Sequence, residues 1–381
     1  MGSTKRMSTK INDWIRYRLQ CLLTLALLAL LLLTGCDSGT DLADTTINVP
    51  TIQASKIPSQ PAYVDMYLSE RGQRLYIADS ANNRVHIFRT SDDTYMDFIS
   101  LDSAPTTLAA NENESALFVT LEGTNEIRVI SLVDDLNTQQ VVPLSAPATS
   151  LAVGDNHRLY VGIAAQVIPE IKVFDISVPD SVVELDPLPT EHGYVVGISN
   201  NRAILMTSEY GKNSPMVSSW DIAELPVVEN SNELFGVTGP DNLPGTIVFQ
   251  PDDRYFYVLT EGTASYDARL PVYQTDNFIM VTDPDQDFYV DYTPSAIAFN
   301  ASGDRVLIAH AKDAANSTDR LRHLKSSNDI HMFDTTTKRE IGSGPVFSNA
   351  IVKNGIAVST TNKVYLLLGE TTASDFAVLA F

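Results

Sequence analysis

The sequence is poor in cysteine, in positive charge and in recognisable catalytic motifs. Its 381 residues include two cysteines, Cys21 and Cys36, both at the N-terminal end. The chain beyond them therefore has no disulfide and no thiolate metal site, and its stability has to come from packing. Lys and Arg number 26 against 47 Asp and Glu. Five of those bases (Lys5, Arg6, Lys10, Arg16, Arg18) and one of the acids (Asp13) fall within the first 35 residues, which leaves a net charge of −25 on the remainder. Such a field repels phosphate backbones, so nucleic acid is excluded as an expected partner. The acidity keeps a secreted protein soluble or attracts basic partners and cations. Gly-x-Ser-x-Gly, Cys-x-x-Cys-His, His-Glu-x-x-His and Gly-rich phosphate loops are all missing, which removes the common hydrolase, haem, zinc-protease and nucleotide sites. No cofactor and no bound metal is expected.

At the N-terminus a basic stretch over residues 1–18, with Met7 as an alternative start, precedes an apolar run from Cys21 to Leu33 made almost wholly of Leu and Ala. The run is shorter than the ~20 apolar residues that cross a bilayer but suits a signal-peptide core. It ends in Leu33-Thr34-Gly35-Cys36. These four residues resemble the lipobox of bacterial lipoproteins. The resemblance implies a signal peptide over 1–35, a diacylglyceryl group on the Cys36 thiol, and cleavage before it, eased by small Thr34 and Gly35. Asp37 resembles the inner-membrane retention signal of enteric lipoproteins, although that rule varies between bacteria. Residues 36–60 then read as lipidated cysteine and tether, polar and containing Pro50 and Pro58. As a flexible coil the tether spans about 25–30 Å. Thr46–Ile52 has the alternative of pairing as an edge strand.

From residue 61 the chain repeats. Units open near a proline on a short apolar strand: Pro61 before YVDMYL, Pro105 before TLAA, Pro147 before TSLAV, Pro244 before TIVF, Pro294 before SAIAF and Pro345 before SNAIV. The fourth opens on His192-Gly193. After a polar turn comes a second strand (RLYIA, ALFVT, RLYVG, AILMT, YFYVL, RVLIA, GIAVS), then a third (RVHIF, EIRVI, EIKVF, MVSSW, FIMVT, DIHMF, KVYLL) and a weaker fourth. Tyr76, Phe118, Tyr160, Leu205, Tyr257, Leu307 and Ala357 align across the units. Short strands recurring every 40–50 residues predict an all-β, seven-bladed β-propeller over 61–381, each blade a four-stranded antiparallel sheet. Two candidates, DFAVLAF at the C-terminus and Thr46–Ile52, offer themselves as the outer strand of blade seven. Arg74-Leu75-Tyr76-Ile77-Ala78 with Asn83-Arg84-Val85, and Arg158-Leu159-Tyr160-Val161 with Val173-Phe174-Asp175, resemble YVTN-type repeats. That resemblance implies the fold well and the function poorly, because the family includes lactonases, quinoprotein-like subunits and surface-layer binding modules.

Three features of the sequence bear on a site. Asp283-Pro-Asp285-Gln-Asp287 has the alternating acids of a calcium loop, but Phe288 and Pro294 stand where Gly and Glu are needed, so a strand-linking turn is expected. His310, His323 and His331 cluster in unit six, with His331 on an alternating strand and no third ligand apparent for the other two. Loop length says more. The link between second and third strands is short in units one and two and lengthens in four, five and six, where unit six also gathers Lys312, Arg320, Arg322, His323 and Lys325. Long structureless insertions are uncommon in compact domains and are often functional. Antiparallel strands put these links on one face, so Glu209, Tyr210, Glu261, Tyr266, Arg269, His310, Asp313, Arg320, Arg322 and His323 form a candidate ligand-binding rim.

The expected function is a lipid-anchored binding module in the cell envelope, facing periplasm or exterior, for a protein, glycan or envelope component. The alternative is a periplasmic propeller enzyme of lactonase or quinoprotein-related type working at the channel mouth. Its channel-facing first strands look mainly apolar, with Asp65 an exception. A third possibility is an assembly subunit.

Overall fold

The computed structural model describes residues 61–380 apart from 134–138, 164–168, 179–180, 191, 210–216, 224–226, 232–242, 262–269, 282–293, 311–328, 346, 348, 350 and 371–372. The chain divides into two compact units, Met1–Asp44 and Thr45–Phe381, and every described residue belongs to the second.

Seven antiparallel sheets follow one another. Blade one is β1 (Tyr63–Ser69), β2 (Arg74–Asp79), β3 (Arg84–Arg89) and β4 (Thr94–Ser100). Blade two is β5 (Pro105–Ala110), β6 (Ala116–Leu121), β7 (Glu126–Ser131) and β8 (Gln139–Pro143). Blade three is β9 (Ala148–Val153), β10 (Arg158–Ile163), β11 (Glu170–Asp175) and β12 (Val183–Glu184). Blade four is β13 (His192–Ile198), β14 (Ile204–Glu209), β15 (Val217–Asp221) and β16 (Val228–Ser231). Blade five has β17 (Leu243–Phe249), β18 (Tyr255–Glu261) and β19 (Val272–Gln274). Blade six has β20 (Pro294–Phe299), β21 (Arg305–His310), β22 (Ile330–Asp334) and β23 (Glu340–Ser343). Blade seven has β24 (Ile351–Val358), β25 (Lys363–Glu370) and β26 (Ala373–Ala380). The protein is a seven-bladed β-propeller: inner strands pack on their neighbours in turn, save that blade five meets blade six through β18 against β20, and β24 joins blade six to β1, closing the ring.

Burial explains why the second strands read as apolar runs rather than alternating ones. In β2, Leu75 to Asp79 are all buried, because each sheet is covered on both faces by a neighbouring blade. Tyr76, Phe118, Tyr160 and Tyr257 are each the third residue of their blade's second strand, and all are at most 2% exposed. Outer strands keep one buried residue against the next blade: Ile99 is 1% exposed, whereas its neighbour Phe98 is 37% exposed. Asn83, the asparagine of the repeat loop, takes a φ of 51°, a left-handed turn conformation that asparagine tolerates.

Two strand assignments are corrected. In blade five FIMVT (278–282) is expected as third strand, but its described residues, Phe278 to Val281, supply the fourth position. The third is β19, and Met280 bridges to Tyr273 from outside. The physical reason is the stack of Tyr273 on Phe256, with ring centroids 5.2 Å apart, and the Pro271 carbonyl, which accepts from Val258 N at 3.0 Å. In blade seven Asn354-Gly355, expected as a turn, is a bulge inside the single inner strand β24, with Asn354 at a φ of 56°. KVYLL therefore forms the second strand and DFAVLAF the third, which is the outermost strand of blade seven among the described residues. Tyr365, not Ala357, is the residue equivalent to Tyr76. In blade four the equivalent third position is Met206, not Leu205. Thr46–Ile52 lies outside the described residues.

The ring is stitched on the face that carries the turns between first and second strands. The Glu114 carboxylate of blade two accepts from Ser69 Oγ (2.6 Å) and Arg71 N (3.1 Å) of blade one. Asp253 of blade five accepts from Asn200 N (2.7 Å) and Asn201 N (2.9 Å) of blade four. Blade seven meets blade one through Thr360 N to Glu70 (2.8 Å) and Lys363 Nζ to Asp93 (3.0 Å). We name this the turn face and the opposite one the loop face.

Candidate functional site: the central cavity and its loop-face rim

The inner strands surround a cavity of about 570 Å³, within the range of ligand pockets. Each inner strand begins with a bulge in most blades, as at Tyr63/Asp65, Pro105/Thr107, His192/Tyr194 and Pro244/Thr246. Bulges re-aim side chains, and here they stand where polar residues line the cavity. Thr106, Thr107, Thr149, Ser150 and Thr246 contribute hydroxyls and Asn354 an amide, beside apolar Leu108, Leu151 and Ile247. The lining is thus more polar than the first-strand sequences suggested. Close approach of β13 to β17 requires Gly197, where a Cβ would meet the Ile247 carbonyl oxygen at 2.6 Å.

Most of these hydroxyls are committed to bonds between blades. Thr149 donates to the Gly193 carbonyl at 2.7 Å, and Ser150 Oγ accepts from Val195 N at 2.8 Å. Thr246 Oγ1 donates to Asn354 Oδ1 at 2.7 Å, linking blade five to blade seven. At the turn face Arg202 of blade four reaches the Ala110 carbonyl of blade two at 3.1 Å. Ser208 and Glu209 line the loop-face end.

Asp65 is the acid of blade one's inner strand. Its Oδ2 accepts from Leu108 N of blade two at 2.7 Å and its Oδ1 from Met66 N at 2.9 Å. Burial pushes its pKa up to about 7, against the lowering pull of those two amides. A carboxyl whose folded-state pKa lies above its unfolded value stabilises the fold at low pH and progressively less as pH rises towards the folded value. The stability of the wild type relative to Asp65→Asn is therefore expected to fall by about 3 kcal/mol between pH 5 and pH 8. Denaturant unfolding at the two pH values measures this, and a difference that stays flat contradicts it.

Of the ten rim residues, three are placed. Glu209, Glu261 and His310 are the last residues of β14, β18 and β21, each paired with the first residue of its inner strand: His192, Leu243 and Pro294. They occupy the same register position in three successive blades, where the links to the third strands leave on the loop face. Tyr210, Tyr266, Arg269, Asp313, Arg320, Arg322 and His323 lie outside the described residues, as do Lys312, Lys325 and the acids of 283–287. His331 is held on the blade surface between Asp329 (3.3 Å) and Glu340 (2.7 Å). Its pKa is raised, chiefly by the hydrogen bond to Asp329.

Sequence reasoning missed two buried polar networks. His86 Nε2 meets Asp79 Oδ2 at 2.9 Å with both side chains fully buried, and Asp79 also accepts from Ala62 N and Asn82. Burial raises the Asp79 pKa, but these bonds outweigh it and hold the carboxyl below its ordinary value. In blade four Thr207 Oγ1 takes Trp220 Nε1 at 2.8 Å and His192 Nδ1 at 2.9 Å. Both networks are sealed from solvent and serve the fold. Asp79 and His86 sit inside apparent strand patterns, and only Asp79 occupies a position that is apolar in the next two blades, at Leu121 and Ile163, so only that residue could have drawn notice.

No protein-family model matches this chain, and no curated protein matches it in sequence. Among solved structures it is similar to a chain described as Kuenenia stuttgartiensis hydrazine synthase. The TM-score is 0.60 at 13% identity, over 87% of this chain and 99% of that one. At that identity the likeness supports the propeller fold alone.

Proposed function

We propose that this protein is a lipid-anchored, extracytoplasmic binding module. It is held to a membrane through acylated Cys36 and takes a protein, glycan or other envelope component on the loop face of its propeller. The observation that carries the reading is the asymmetry of that face. In blades four, five and six the second strands end at Glu209, Glu261 and His310, and the third strands resume only at Val217, Val272 and Ile330. In blades one and two the corresponding links are confined to 80–83 and 122–125. The lengthened half adjoins the loop-face end of a cavity offering hydroxyl and amide groups. Leu33-Thr34-Gly35-Cys36 supports the anchor, since a diacylated cysteine provides the two chains that stable attachment needs.

The anchor and the face are tested together. Cys36→Ala is expected to abolish incorporation of labelled fatty acid and to release the protein from its lipid-dependent hold on membranes. A mature start elsewhere than residue 36 contradicts the anchor. A photo-crosslinker at Glu209 on the loop face is expected to form adducts that one at Asn113 on the turn face does not. Adducts from Asn113 alone contradict the binding face.

A further inference from the structure

We propose that the central cavity is a pocket for a small organic cation, a primary alkylammonium ion, with Asp65 as its counter-ion. The reading rests on neither the lipid anchor nor the partner proposed for the loop face.

A repeated bulge builds the site. The inner strands of blades one to six carry the same irregularity near their start. The residues that follow it are Asp65, Thr107, Ser150, Tyr194, Thr246 and Ala296. Each pairs with the fifth residue of its blade's second strand: Ala78, Thr120, Gly162, Ser208, Leu259 and Ala309. They therefore share one tier of the channel. All but Ala296 line the cavity.

Asp65 is the acid of this tier. Each of its oxygens accepts one backbone amide, from Leu108 N and Met66 N, and an ionised carboxylate has about two acceptor sites per oxygen. One site on each oxygen is left over. Asp65 makes no ion pair among the described residues, and burial is the main cause of its raised pKa. A carboxylate withdrawn from water is costly until a positive charge stands beside it. Thr107, on the neighbouring strand β5, bonds Thr120 through its carbonyl, and its hydroxyl makes no bond among the described residues. Across the channel Thr246 gives its proton to Asn354 and keeps its lone pairs. These oxygens suit the three donors of an ammonium group.

The rest of the lining selects the class. Leu108, Leu151 and Ile247 offer an alkyl chain an apolar wall. The ionisable residues described in the lining are Asp65, Glu209 and Tyr194, so an anion meets only acids there. Calcium takes about six to eight oxygens, carboxylates prominent among them, and this tier supplies one carboxylate. At the turn face Arg202 donates to the Ala110 carbonyl (3.1 Å) and Tyr67 to Glu114 (3.3 Å), tying blades one and four to blade two. Entry is therefore from the loop-face end, past Ser208 and Glu209.

The bound cation requires an ionised Asp65, whose carboxyl titrates near 7. The other titratable groups around it are Glu209 and Tyr194 in the cavity and Tyr67, Glu114 and Arg202 towards the turn face. Of the strands packed on β1, β5 has no charged residue, while β2, β24 and β25 add Arg74, Asp79, Lys353, Lys363 and Glu370. An alkylammonium ion stays protonated through this range, so binding should strengthen as pH rises.

Ligand-observed magnetic resonance on the full chain in detergent, against a protein-free blank, tests this with n-butylammonium, n-butanol and butyrate. The affinity for n-butylammonium is expected to rise about tenfold from pH 6 to pH 8. At pH 8 n-butanol and butyrate should bind about tenfold more weakly or less. Asp65→Asn should lose about tenfold and flatten the pH dependence. Thr107→Val, which leaves both amide bonds to Asp65 in place, should lose about threefold. The pH series uses the unaltered chain, so a variant that fails to fold leaves the test standing. Absence of n-butylammonium binding overturns the proposal, as does equal affinity for n-butanol or an affinity that is flat or falls with pH. None of these readings depends on Cys36 or on residues 311–327, so the pocket and the loop-face partner fail separately.

Discussion

Trp220→Ala is expected to destabilise the propeller by about 3–5 kcal/mol, lowering its melting temperature by about 10 °C. The indole is 1% exposed and packs with Tyr160, Ile171, Leu205 and Ile222 between blades three and four. Truncation leaves a cavity at an interface that cannot collapse without pulling two sheets together. It also removes one of two partners of Thr207 Oγ1, which keeps His192. Trp220→Phe separates the two effects. It restores most of the volume and loses only the Nε1 bond, with an expected cost of about 1–2 kcal/mol. Thermal unfolding of the two variants side by side measures the ratio, and equal losses would mean that the hydrogen bond, not the packing, dominates.

Much of the ring is written into the repeat. Blades one to three are legible because Arg-Leu-Tyr, Ala-Leu-Phe and Arg-Leu-Tyr open strands that are buried on both faces, and no other fold gives such a run every forty-odd residues four strands at a time. Blade five misleads because FIMVT alternates as a strand should and does pair, one place further out. The true third strand follows a proline, Pro271, whose presence hides it. Blade seven misleads because Asn354-Gly355 has the composition of a turn. Only the packed strand reveals that a bulge there places Gly355 where a Cβ would sit 2.7 Å from the Val352 carbonyl oxygen.

The site was legible in part. Glu209, Glu261 and His310 could be assigned to one face because antiparallel strands alternate their connections, a rule needing no coordinates. The hydroxyls of the cavity were visible as residue types in TTLAA, TSLAV and TIVF, yet their convergence depends on bulges that strand periodicity does not announce. Arg202 is invisible to sequence reasoning, since its bond to Ala110 joins blades two and four across the channel.

The central claim, that the loop face of an anchored propeller holds a partner, is tested most directly by replacing residues 311–327 with a short Gly-Ser turn. Long surface links are changed at small entropic cost, and the flanking strands β21 and β22 pair along five residue pairs without them. The variant is therefore expected to melt within about 2 °C of the parent. The parent, recovered from detergent-solubilised membranes through a C-terminal tag, is expected to bring a protein or glycan component in stoichiometric amount. Aromatic and arginine side chains are the usual energetic anchors of interfaces, and this segment holds Arg320 and Arg322. The account predicts at least a tenfold loss of that component from the variant with folding unchanged. Full recovery by the folded variant would contradict it.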